Sequence, residues 1–126
     1  MQKLLIEKTN STPFISFDAK ARLLEIKGES YPENVAKFYT PVLEWLQDYL
    51  SNDESETTAV EFEILYFNSS SSKIFMTIFD ILEQAVSKGK KILVKWICDE
   101  GNETAIECGE EFKEDLVHLP FDIKVY

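Results

Sequence analysis

"TAVEFEILYFNSSSSKIFMTIFDILEQAV", Thr58 to Val86, changes its apolar period partway along. Val60, Phe62 and Ile64 alternate with Glu61 and Glu63, the two-residue repeat of a strand, and the reading extends from Thr58 to Phe67. Its last four apolar letters, "ILYF", predict an end buried on both faces. From Ile74 the spacing becomes three and four: Ile74, Phe75, Ile78, Phe79, Ile81, Leu82, Ala85 and Val86 make a broad helical stripe, and Gly89 supplies a C-terminal cap. A strand that hands over to a helix through a short polar junction is half of a β-α-β unit. The junction itself is Asn68 followed by Ser69, Ser70, Ser71 and Ser72.

The flanking sequence extends this unit in both directions. Towards the N-terminus, Lys3–Lys8, Pro13–Phe17 and Ala21–Lys27 are short apolar runs separated by "TNST" and "DAK", which predicts an antiparallel meander. "SYPE" then has Ser30 and Glu33 at the spacing of a capping box, with Pro32 acceptable in a first turn, so a helix is expected to begin there. Val35, Phe38, Tyr39, Val42, Leu46, Tyr49 and Leu50 give it an apolar face, and Pro41 is expected to kink or split it. The polar linker "SNDESE" separates it from the central strand. Towards the C-terminus, Lys91–Cys98 reads as a strand, Thr104–Leu116 as an acidic surface helix, and Phe121–Tyr126, after Pro120, as a closing strand. Right-handed crossovers make the later strands parallel. The expected fold is α/β: one domain over residues 1–126, with a mixed sheet and about three helices packed against it. Trp45 and Trp96 are expected in the core.

Charge and composition narrow the function. With 23 acidic and 13 basic side chains the formal charge is −10, which repels nucleic acid everywhere except at a local patch such as Lys88, Lys90 and Lys91. Nucleic acid is therefore not expected as a partner. Cys98 and Cys108 lack paired metal-site spacing and His118 is a lone imidazole, so two free thiols, no metal and no cofactor are expected. The apolar runs are too short for a signal peptide or a membrane span, which predicts a cytoplasmic protein with no membrane insertion.

In such a fold the junction sits at the carboxyl edge of the sheet, where sites gather. The unpaired N–H groups of a helix start favour negative charge, so a hydroxyl there can cap the helix or carry a phosphate. Lys73 in the first turn opposes the helix dipole, and an added phosphate reverses that balance. The plainer reading makes Asn68 or one serine an N-cap and the rest solvated filler. Ser70-x-x-Lys73 has the spacing of a serine–lysine catalytic pair, but neither Ser-Asp-Asn nor Lys-Thr-Gly occurs, nor does Gly-x-Ser-x-Gly. No catalytic residue is assigned.

Four words spread in order along the chain, "STPFISFD" (Ser11–Asp18), "GESYPEN" (Gly28–Asn34), "YFNSSSSK" (Tyr66–Lys73) and "GEEFKEDL" (Gly109–Leu116), resemble the SiaC family of bacterial regulatory phosphoproteins. That resemblance implies a fold similar to the anti-sigma-factor antagonist (STAS-like) domain and a partner switch in cyclic di-GMP signalling. A dedicated kinase phosphorylates one hydroxyl, a metal-dependent PP2C-type phosphatase removes the phosphate, and the unphosphorylated form binds and activates a diguanylate cyclase. The acceptor directly follows the asparagine of "YFN", which implies Ser69 here, with Ser70 as the rival in a run of four. Asn68, Ser70, Ser71 and Lys73 are the expected partner contacts, joined by Tyr31 and Glu33 if their turn lies beside the serines. Glu110, Glu111 and Glu114 are either a solvated face or a surface for a basic partner, with Phe112 and Leu116 anchoring them. The competing reading is a small acidic enzyme or ligand-binding domain that uses the sheet edge as a pocket.

Overall fold

The structure is a computed structural model that describes residues 1–52 and 56–126; the middle of the acidic linker, residues 53–55, lies outside the described residues. The elements follow as β1 (Leu4–Ile6), β2 (Phe14–Asp18), β3 (Leu23–Ser30), α1 (Val35–Ser51), β4 (Thr58–Phe67), α2 (Ser69–Ser87), β5 (Ile92–Cys98), α3 (Glu103–Glu114) and β6 (Phe121–Val125). One six-stranded sheet holds the strands in sequential order. β1, β2 and β3 pair antiparallel, and β3 through β6 pair parallel, so the expected mixed sheet is present.

Every β-α-β step moves one strand along the sheet in the same direction. Right-handed crossovers then put all three helices on one face. The register agrees: Leu4, Phe17, Leu24, Val60, Val94 and Phe121 form one row across the sheet, and Ile6, Ile15, Ile26, Phe62, Trp96 and Ile123 form a second. Most of these side chains are fully buried, each worth about 1.5–3 kcal/mol against exposure. Between the two rows, Ser16, Glu25, Glu61, Lys95 and Asp122 line up on the other face. Lys27 there reaches Glu25 at 2.9 Å and Glu61 at 3.6 Å, partly exposed pairs that add little stability.

Trp96 is the centre of the core. It stacks on Phe62 with ring centroids 5.8 Å apart, meets Phe112 edge-on at 5.3 Å, and donates its indole N–H to the Ala105 carbonyl at 2.8 Å. Trp45 is only half-buried: it stacks on Tyr49 and donates to the Gln2 carbonyl at 2.7 Å, which ties the N-terminus to α1. Gly89, at φ +105°, closes α2 as expected, its N–H bonded to the Val86 carbonyl.

Three further expectations change. The Ser30–Glu33 capping box does not form, because β3 extends to Ser30 and commits it to the sheet; Asn34 caps α1 instead, accepting the Lys37 N–H at 3.0 Å. α1 is not split at Pro41, which sits on the exposed side of its second turn and removes one backbone donor from an otherwise continuous helix. The far end of β4 is not buried on both faces. Gly28 pairs with Ile64 but Glu29 pairs with Tyr66, so Leu65 is an extra residue, a β-bulge. Leu65 and Tyr66 are 57% and 55% exposed, while Phe67 returns to the core against Phe75 and Trp96.

Candidate functional site

The bulge delivers Asn68 at the carboxyl edge of the sheet. Its N–H donates to the Ser30 carbonyl at 3.2 Å, and its side-chain oxygen accepts the Ser71 N–H at 2.9 Å. Asn68 is thus the N-cap of α2, and the helix proper begins with its carbonyl accepting the Ser72 N–H at 3.0 Å. The N–H groups of the first helical positions have no acceptor within the helix.

The four serines separate by direction. Ser69 and Ser70 are exposed, Ser72 is half-buried and Ser71 is sealed at 0% exposure. Ser71 falls four residues before Phe75 and seven before Ile78, both buried, so the helical period carries it inward. Inside, its Oγ lies 2.8 Å from Ser30 Oγ, which lies 2.6 Å from Tyr39 OH. Burial pushes the Tyr39 phenol up to about 12, with the Ser30 hydrogen bond pulling the other way, so this chain of hydroxyls is neutral at physiological pH. Ser71 is therefore not a surface contact: a hydroxyl engaged at depth offers a partner nothing. Ser30 and Tyr39 were not foreseen at this site.

Tyr31 reaches the site. Its ring meets Tyr66 edge-on at 5.6 Å, and both rings are exposed just before and beside the cap. Glu33 and Lys73 are exposed as well. On α3, Glu110, Glu111 and Glu114 face solvent, while Phe112 packs on Phe79 at 5.2 Å and Leu116 is half-buried, as their four-residue spacing requires.

Beside the bulge, Asn102 donates to the Leu65 carbonyl at 3.1 Å and caps α3 through the Ala105 N–H. A cavity of about 250 Å³ opens there, lined by residues that include Leu65, Tyr66, Phe67, Thr104 and Cys108. Burial, followed by the nearby Glu111 and Glu107 charges, pushes the Cys108 thiol up, which makes it a poor nucleophile. Cys98 and Cys108 are both free thiols. Among the described residues no three His, Cys, Asp or Glu side chains are grouped to hold a metal ion, and no helix is long and apolar enough to cross a membrane.

Fold and site together describe a small mixed α/β domain whose distinctive surface is a capped helix start carrying two outward hydroxyls. The chain belongs to the SiaC family of regulatory phosphoproteins, which it matches over residues 6–126. It is similar to SiaC of Pseudomonas aeruginosa, with 36% identity and a TM-score of 0.91 over the full length of both chains. It is equally similar, at 37% identity and a TM-score of 0.91 over 98% of this chain and 99% of the other, to a chain in the crystal structure of the diguanylate cyclase SiaD in complex with its activator SiaC. An uncharacterized protein of P. aeruginosa strain UCBPP-PA14 is 37% identical across 100% of this chain and 98% of its own length.

Proposed function

We propose that this chain is a non-enzymatic cytoplasmic switch. A cognate kinase phosphorylates Ser69, or Ser70 as the alternative, a PP2C-type phosphatase reverses the reaction, and the unphosphorylated surface binds and activates an effector, a diguanylate cyclase. The observation that carries this reading is the exposure of Ser69 and Ser70 on the first turn of a capped helix. The likeness to SiaC, the activator in the solved SiaD complex, supports the choice of effector.

The chemistry works without unfolding. A phosphate brings about −1.5 to −2 charges, and a helix N-terminus welcomes them through its free N–H groups and dipole. The cost falls on the visitor, whose surface must desolvate a dianion where it had met a neutral hydroxyl. Asn68, Ser70, Lys73, Tyr31 and Glu33 are the contacts assigned to that surface. Phosphosite mapping of the protein isolated from its own cells tests the reading: phosphate on Ser69 or Ser70 supports it, and an unmodified run under all growth conditions ends it.

The cavity beside Leu65 favours the second reading, a ligand-binding domain at the sheet edge. A metabolite retained in native mass spectrometry and lost on Thr104→Trp is its signature.

A further inference from the structure

Four adjacent serines are chemically alike, so the run itself holds no instruction about which of them faces out. Successive helical residues are about 100° apart, so fixing one hydroxyl fixes the direction of the other three. Ser71 is fixed by Ser30, whose side chain also takes up Tyr39 and whose carbonyl holds the Asn68 N–H. One serine at the end of β3 thereby joins the sheet, α1 and the first turn of α2. Further along, Phe75, Ile78 and Leu82 anchor the same stripe. The first turn of a helix is where fraying begins, and there the Asn68 cap sets only where the helix starts.

We propose that Ser30, Tyr39 and Ser71 are positioning residues that select the acceptor: they lock the rotation of the first turn of α2, withhold Ser71 and Ser72, and leave Ser69 and Ser70 to a kinase. This rests on the phosphorylation reading above. The lock suits that task because its members are small hydroxyls on three different elements. Removing the Tyr39 oxygen leaves the ring in its edge-on contacts with Phe38 and Phe75. The selection is therefore separable from packing.

The test uses the full chain as wild type, Tyr39→Phe and Ser71→Ala, with Tyr49→Phe as the control. Tyr49 OH lies 2.6 Å from Thr58 Oγ1, so the control removes a buried phenol of the same kind from the far end of the same helix. Each protein is expressed in its native host for phosphosite mapping, and in unphosphorylated form for amide hydrogen exchange. In Tyr39→Phe and Ser71→Ala the Asn68, Ser71 and Ser72 amides are expected to exchange about five- to tenfold faster, the loss of one hydrogen bond. Phosphate in Tyr39→Phe is expected to spread to Ser71 or Ser72, and in Ser71→Ala to change its division between Ser69 and Ser70; Tyr49→Phe changes neither readout. If the wild type is phosphorylated and both variants match it in exchange and in site distribution, the selection is overturned while the switch survives. A wild-type run without phosphate overturns the switch and the selection together, and the exchange data still show whether the lock exists.

Discussion

The side-chain oxygen of Asn68 accepts the N–H of Ser71 at 2.9 Å, so the residue directly after β4 caps the helix bearing the serines. Asn68→Ala is expected to cost about 1 kcal/mol of folding stability, within about 0.5–2 kcal/mol, and Asn68→Asp to keep most of it. Urea denaturation of the three proteins measures this, and equal midpoints for wild type and alanine would remove Asn68 from the role of cap.

Charge placed on the outward serine is expected to act on binding, and charge on the inward one on folding. By calorimetric titration against the proposed cyclase effector, Ser69→Ala should bind as the unmodified protein does, and Ser69→Asp at least about tenfold more weakly, about 1.4 kcal/mol. Ser71→Asp puts a carboxylate where there is no solvent, and is expected to lose more than about 3 kcal/mol of stability. Alanine and aspartate variants of Ser69 with the same affinity would move the switch off this residue.

Gly109 packs against the indole of Trp96. A Cβ added there lies 2.5 Å from Cδ1 and 2.7 Å from Nε1, closer than atoms can sit. Either α3 moves off the sheet or Trp96 loses its bond to the Ala105 carbonyl. Gly109→Ala should therefore destabilise by about 1–3 kcal/mol, visible as a lower Tm together with altered tryptophan fluorescence.

Acid is expected to release the segment after α3. Glu83 on α2 accepts the N–H groups of Val117, His118 and Leu119, at 3.2, 2.9 and 2.8 Å. Burial alone raises its carboxyl, but the three backbone donors outweigh that and hold it below the usual value of 4.5. A carboxylate with a depressed folded-state pKa stabilises fully above its unfolded value and loses that contribution as pH falls through the folded one. The stability gap between wild type and Glu83→Gln should thus be constant above about pH 4.5 and shrink below it. A gap that widens on acidification would contradict the assignment.

Most of the fold was legible because periodicity is local. The alternation through Val60, Phe62 and Ile64, and the stripe from Phe75 to Leu82, fixed β4 and α2 without knowledge of their neighbours. The bulge at Leu65 was not legible, since it exists only in the register between β3 and β4, where Gly28 pairs with Ile64 and Glu29 with Tyr66, 36 and 37 positions apart along the chain. Ser30 was misread for a related reason: its spacing to Glu33 is that of a cap, yet pairing with Phe67 had already claimed it for the sheet. Ser71 could have been placed from its spacing to Phe75 and Ile78, but a hydroxyl in a polar run reads as surface until a buried acceptor is known. Ser69, with Ser70 as its rival, was singled out by the resemblance of the "YFN" word, and their exposure is seen only in the folded chain.

The surplus residue at Leu65 also governs how this chain tolerates changes of length. Anywhere in the regular part of β4, losing one amino acid would turn every later side chain of the strand over, sending Phe67 to solvent. At Leu65 a deletion merely restores an even pleat, with Tyr66 still outside and Phe67 still inside. Relatives one residue shorter at that spot, and nowhere else along the strand, can therefore keep the same interior.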